Sequence, residues 1–233
     1  MDLSSGSFWF ALGSIILTNI LLSGDNAVVI ALASRALPKA QQKLAMIWGS
    51  VAAIVILVCF TYLAVTLLKL PFIKVLGAFL LVYVGVKLMS EGDEDPDTAS
   101  QASLLDAIKT ILIANLVMSL DNVIAVAAAA QKAPEGARLF LLCLGLGVSV
   151  PVIIFGSAML IKLMERFPSI IVMGAGILGM LAGDMFVEEP FVHQLVLATF
   201  GEVEEFFQVA GVVIVVGLGL YLKNRSQKNI KHS

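Results

Sequence analysis

Apolar residues fill the chain in runs of about 20, separated by short polar or charged turns. A helix rises 1.5 Å per residue, so each run suits the roughly 30 Å hydrocarbon core of a bilayer. The pattern predicts seven spanning helices, over residues 8–33, 44–68, 71–90, 104–131, 139–161, 168–187 and 206–222. The expected fold is therefore all-α, a polytopic membrane protein with no room for a soluble domain. The opening MDLSSGS lacks the basic segment and cleavage site of a removable signal peptide, so the first span is expected to stay in the mature chain.

Composition supports this reading. The 233 residues are 59% hydrophobic and 14% charged, with a mean hydropathy of +0.98; neither a nucleic-acid-binding domain nor an enzyme is expected. Cys59 and Cys143 stand alone in apolar spans, away from any CxxC or His pattern, and read as small apolar filler. The net charge of −2 says less than its distribution. With the amino terminus outside, 11 of the 15 Lys and Arg fall on the inner side, leaving only Lys69, Lys74, Lys132 and Arg138 outside. The carboxyl terminus is then cytoplasmic.

A repeat divides the chain. Asn19, Ser23, Asp25, Asn26, Ala31, Ala33 and Pro38 recur as Asn115, Ser119, Asp121, Asn122, Ala127, Ala129 and Pro134, all 96 residues later. Gly49 and Gly145 keep that spacing, and GAFLLVYVGVK from Gly77 matches GAGILGMLAGD from Gly174 at a spacing of 97. The unit is three helices used twice. Three is odd, so the second copy should enter the membrane from the opposite side, the inverted-repeat plan of many secondary transporters. The expected organisation is a first three-helix repeat (1–90), an acidic cytoplasmic linker (91–103) and a second, inverted repeat (104–187). An acidic outer loop (188–205) and a seventh helix with a basic cytoplasmic tail (206–233) complete it.

The repeated element NxxxSxDN puts a carboxylate inside a spanning helix, at a cost of roughly 2.5 to 3.5 kcal/mol for each Asp. Interhelical hydrogen bonding, worth about 0.6 kcal/mol per contact on average, offsets little of it. No Lys or Arg lies at the depth of Asp25 or Asp121, which leaves a proton or a cation as the neutraliser. Asn19, Ser23 and Asn26 share one helical stripe, as do Asn115, Ser119 and Asn122, with each Asp displaced by roughly 100°. The polar face is wide, or the helix unwinds near Gly24 and frees carbonyls as ligands, more clearly in the first copy because Leu120 replaces Gly24 in the second. Carboxylate, amide and hydroxyl oxygens suit hard cations such as Mn²⁺, Mg²⁺ or Ca²⁺.

The doubled NxxxSxDN, the seven spans and the acidic middle segment together resemble the TerC family of integral membrane proteins, in its YjbE-like branch, with a relation to LysE-type exporters. That resemblance implies export of a divalent metal, chiefly Mn²⁺, across the bacterial plasma membrane. It also implies Asp25 and Asp121 as principal ligands, supported by Asn19, Asn26, Asn115 and Asn122, with Ser23 and Ser119 lining the path. Met118 is a further candidate, as a soft thioether contact, although packing is its commoner role. Asp184 is a candidate for the outer vestibule, or snorkels to the interface.

No Walker A pattern appears, so metal export is expected to run on proton exchange, with no cofactor beyond the transported cation. The expected partners are that cation, protons and the bilayer, with a second copy of the chain or a secretion machine as further partners. The rival readings are an exporter of another small solute, of the amino-acid type, and a non-transporting partner that delivers metal to secreted proteins.

Overall fold

A computed structural model describes residues 6–67, 70–90, 104–131, 138–200 and 203–230. Nine helices lie among them: α1 (Gly6–Leu21), α2 (Gly24–Ser34), α3 (Lys39–Leu67), α4 (Ile73–Ser90), α5 (Leu104–Gln131), α6 (Arg138–Arg166), α7 (Ser169–Val187), α8 (Pro190–Phe200) and α9 (Glu204–Ile230). The fold is all-α. Five of the helices are long and apolar enough to cross a membrane alone, and the count reaches seven if the bent pairs Phe8–Leu21 with Gly24–Ser34 and Leu104–Leu120 with Asn122–Ala129 are each one span. Large apolar side chains such as Leu17, Phe79, Phe155 and Val213 are more than half exposed, as lipid-facing positions are. The acidic linker at 91–103 lies outside the described residues.

One feature decides between alternatives that the sequence leaves open, and one departs from expectation. The first span is two helices meeting at 47°, with Leu22 and Ser23 between them. The acidic outer segment contains an 11-residue helix, α8, where a loop was expected; Glu202 lies outside the described residues. No charge falls within PFVHQLVLATF, and Phe191, Leu195 and Leu197 are exposed on it, so its apolar surface lies just beyond the end of α7.

The helices sort by packing. α4, α7 and α9 form one group; α3 packs on α5, and α6 packs on α1 and α2. Small residues permit the closest approaches: a methyl group on Gly183 would run into the Phe207 carbonyl, and one on Gly179 would sit 2.5 Å from the Gly211 carbonyl. Between the halves, one contact occurs twice. Gly49 on α3 lies against Ile111 of α5, and Gly145 on α6 lies against Ile15 of α1. Each residue of the first pair has its counterpart 96 positions away in the other pair.

Charged side chains hold α4 at both ends. Phe72, just before the helix, has a positive φ of 61°, which costs an L-residue roughly 1 to 2 kcal/mol. Glu189, only 4% exposed, offsets this by accepting the main-chain N–H groups of Phe72 at 3.0 Å and Lys74 at 3.1 Å. Its neighbour Glu188 pairs with the Lys74 ammonium. At the other end, Arg35, just past α2, donates to the Leu88 carbonyl at 2.8 Å. A carboxylate at the amino end and a guanidinium at the carboxyl end both agree with the helix dipole.

Gly211→Leu is expected to lower the thermal stability of the detergent-solubilised protein by about 1 to 3 kcal/mol. Gly217→Ala, where a methyl group meets nothing within 4 Å, should leave it unchanged or slightly higher. Glu189→Ala strands two main-chain donors and should cost about 1 to 3 kcal/mol by the same unfolding assay. Glu188→Ala removes only a half-exposed ion pair, worth less than about 1 kcal/mol.

Candidate functional site

The break between α1 and α2 falls on NILLSGDN, the first copy of the repeated element. Ser23 turns its hydroxyl back to the Asn19 carbonyl and makes no side-chain cap on α2. Gly24 opens α2, where a methyl group would meet nothing within 4 Å. Asp25 sits in the first turn of α2 and accepts the Asn26 main-chain N–H at 2.7 Å, so the positive end of the helix dipole lies at its carboxylate. A charge that is costly in a bilayer is thus given a partial counter-charge by the break itself.

The second copy meets the first at this point. Asn122 of α5 reaches across to donate its amide to the Leu22 carbonyl at 3.3 Å, and Asn26 donates to the same oxygen at 3.5 Å. From a third element, Ser157 of α6, fully buried, donates to the Ala27 carbonyl at 3.1 Å. Equivalent positions in the two copies are buried alike: Asn19 and Asn115 at 3% and 0% exposed, Ser23 and Ser119 at 5% and 6%, Asn26 and Asn122 at 9% and 8%. Asp121 belongs to the helical backbone of α5, and its side chain lies outside the described residues. α5 keeps its helical assignment through this point, yet bends by 61° between Leu120 and Asn122. The first copy separates into two helices meeting at 47°, whereas the second stays within one helix but bends by 61°; a clearer break was expected in the first copy, and the angles run the other way.

Polar atoms are left over among these buried groups. Neither amide atom of Asn115, nor Nδ2 of Asn19, has a hydrogen-bond partner among the described residues. Each such buried group costs about 1 to 3 kcal/mol, and unpaired buried groups are rare enough to call for a physical reason. No group of three or more His, Cys, Asp and Glu side chains suited to a metal occurs among the described residues. A cation held here would draw on the Asp side chains together with the amide, carbonyl and hydroxyl oxygens around them.

Other candidates fall elsewhere. Asp184 accepts a 2.7 Å hydrogen bond from Gln208 of α9, which ties it to the contact between α7 and α9. Met118 lies in the apolar core. Lys87, at the position in its repeat equivalent to Asp184, donates to Thr110 at 3.2 Å. Sequence reasoning missed Ser157, although it lies 96 residues after Thr61, another hydroxyl at the same place in the repeat. The Leu22 carbonyl carries no signature beyond the Gly24 that follows it.

A bundle of membrane-length helices, one of them broken around buried polar residues contributed by two halves of the chain, defines an integral membrane protein consistent with a transporter. The chain belongs to the TerC family of integral membrane proteins, whose pattern matches residues 4–227. It is 40% identical over 203 residues to YjbE of Bacillus subtilis strain 168, described as an uncharacterised membrane protein, covering 87% of this chain and 90% of that one. YceF of the same strain, also described as an uncharacterised membrane protein, is 30% identical over 134 residues, covering 53% of this chain and 52% of its own. The UPF0053 inner membrane protein YgdQ of Escherichia coli K12 is 25% identical over 203 residues, with 79% and 83% covered. No solved structure matches the chain.

Asn115→Leu separates a structural from a functional role for the buried amide. Removing two polar atoms that are unpaired among the described residues is expected to leave the thermal unfolding temperature unchanged or raise it, while any transport activity of the reconstituted protein falls at least about tenfold.

Proposed function

We propose that this protein is a secondary transporter that exports a divalent cation, Mn²⁺ first among the candidates, from the bacterial cytoplasm in exchange for protons. The observation that carries the reading is the wholly buried Asn115 amide, with both polar atoms unpaired among the described residues, six residues before Asp121 in the same element that gives Asn122 to the first break. An unpaired amide oxygen in the element that carries an intramembrane carboxylate is a ligand that a hard cation can take. Asp25 and Asp121 are its principal ligands in this reading, and Asn19, Asn26, Asn115 and Asn122 complete the set, with Ser23 and Ser119 along the path.

Outward movement of a divalent cation against an inside-negative potential costs about 4.6 kcal/mol per 100 mV, at roughly 2.3 per charge, so export needs a driving ion. Two carboxylates that take up protons when the metal leaves would supply that coupling. The reciprocal Gly49–Ile111 and Gly145–Ile15 contacts support reading the halves as inverted copies that exchange roles during alternating access. For orientation, Arg35 reaching Leu88 and Lys87 reaching Thr110 gather basic residues at one end of the bundle. Glu188 and Glu189 meet Phe72 and Lys74 at the other end of α4. The basic end is the cytoplasmic one by the positive-inside rule, with the amino terminus outside.

Export of an amino acid, which kinship with LysE-type exporters would suit, needs a cationic partner for the substrate carboxylate. Arg35 and Lys87 are bonded near helix ends, outside the polar motif.

Proteoliposomes containing only this chain test the proposal. Mn²⁺ flux should depend on a pH gradient and fall at least about tenfold in Asp25→Asn and Asp121→Asn. Absence of flux for Mn²⁺, Mg²⁺ and Ca²⁺ alike in the wild type would overturn it.

A further inference from the structure

We infer that the main-chain carbonyl of Leu22 is a direct ligand of the transported cation, and that the Asn26 and Asn122 amides occupy it when the cation is absent. This inference rests on the cation-transport reading above.

The reason lies in the hydrogen bonds at the break. The last carbonyls of a helix lack intrahelical donors and must find others. Here Thr18 O takes the Leu22 N–H at 3.0 Å, Asn19 O takes the Ser23 hydroxyl, Ile20 O takes the Ser23 N–H at 3.3 Å, and Ser23 O takes the Ala27 N–H at 3.0 Å. The Leu22 carbonyl differs. Its regular donor four residues on would be the Asn26 N–H, and that group is turned to the Asp25 carboxylate instead. Among the described residues, the donors at Leu22 O are two side-chain amides, one from each half of the chain.

Those two bonds are replaceable. At 3.3 and 3.5 Å they lie beyond the usual 2.7 to 3.2 Å range for N–H···O. The terminal torsion of Asn is broad and roughly two-fold, and the amide carries an acceptor on the side opposite its donor. A half-turn of each side chain therefore exchanges two N–H donors for two oxygens at nearly the same positions. With the cation present, the Leu22 carbonyl, both amide oxygens and the Asp25 carboxylate form an all-oxygen set of the kind hard divalent ions take. The cation supplies the positive charge that the two N–H groups supply without it.

The counterpart of Leu22 in the second copy is Met118, on α5. Met118 stands 96 residues after Leu22, two residues before the 61° bend of α5. The inferred ligand set lies at the first break, to which α5 brings Asn122.

The test uses the full-length protein in detergent, titrated with MnCl₂ by calorimetry. Replacing Ser23 by its α-hydroxy analogue turns the 22–23 amide into an ester and makes the Leu22 carbonyl a poorer ligand, while removing only the 3.3 Å Ser23 bond. Mn²⁺ affinity should fall roughly tenfold. An ester at 118–119 should leave affinity unchanged. If both esters bind as wild type does, or weaken equally, the Leu22 assignment is overturned while the transport reading stands; if the wild type itself binds no Mn²⁺, the transport reading fails first.

Asn122→Asp gives a second measurement that does not depend on the ester folding. It sets a carboxylate oxygen against the Leu22 carbonyl, so the metal-free protein should melt below wild type, and Mn²⁺ should raise its melting temperature by more than it raises that of the wild type. Asn122→Leu should show no such rescue. Equal Mn²⁺-induced shifts in Asn122→Asp and Asn122→Leu would overturn the inference.

Discussion

A main-chain carbonyl in the middle of a bilayer has no water to bond to, and this constraint organises what surrounds the α1–α2 break. A helix interrupted in water leaves carbonyls that solvent satisfies; one interrupted in hydrocarbon must be answered by protein. Ser23 turns back to Asn19, and Asn122 crosses from the other half of the chain to Leu22. The break thus joins the two halves and draws polar side chains into a place they would otherwise avoid. Asp25 is part of the same arrangement, because the positive end of α2 exists only where the helix has been interrupted.

The rest of the bundle keeps that polar region in place. α4, α7 and α9 come together through close glycine contacts, with Asp184 accepting from Gln208 where α7 meets α9. α1, α2, α3, α5 and α6 carry the buried amides and hydroxyls. The two groups meet through α4 on α5 and α2 on α7, and one apolar core runs through both contacts. α2 occupies a junction: its first turn holds Asp25, and Arg35 just past its end holds the carboxyl end of α4. A displacement of α2 would therefore be felt at the site and at α4 together.

Much of this was legible in the chain. Membrane helices declare themselves through uninterrupted apolar length, and the seven runs correspond to the seven spans obtained when bent pairs are joined. The interruption near Gly24 was legible too, since glycine tolerates a ruptured helix that Leu120 does not favour. The 61° bend of α5 was foreseen only as the weaker of two breaks, because Leu120 stands where the first copy has Gly24. α8 was read as loop because Glu188, Glu189, Glu202, Glu204 and Glu205 frame its uncharged residues. Glu189 itself was taken as solvated; its partners Phe72 and Lys74 lie 117 and 115 positions earlier, and only the packing of α4 on α7 brings them together. Asp184 escaped for the same reason, its partner Gln208 belonging to α9.

The two fastenings of α4 also differ in when they become available to a chain made from its amino end. Arg35 is synthesised before α4, so the carboxyl end of that helix can be closed as soon as Leu88 arrives. The amino end must wait until α5, α6 and α7 have followed and Glu189 has emerged. Through that interval the main-chain donors of Phe72 and Lys74 lack the Glu189 carboxylate, which also accompanies the positive φ of Phe72. Closure at Glu189 is therefore a late event in biogenesis, and a nascent chain halted before residue 189 holds α4 by one end only.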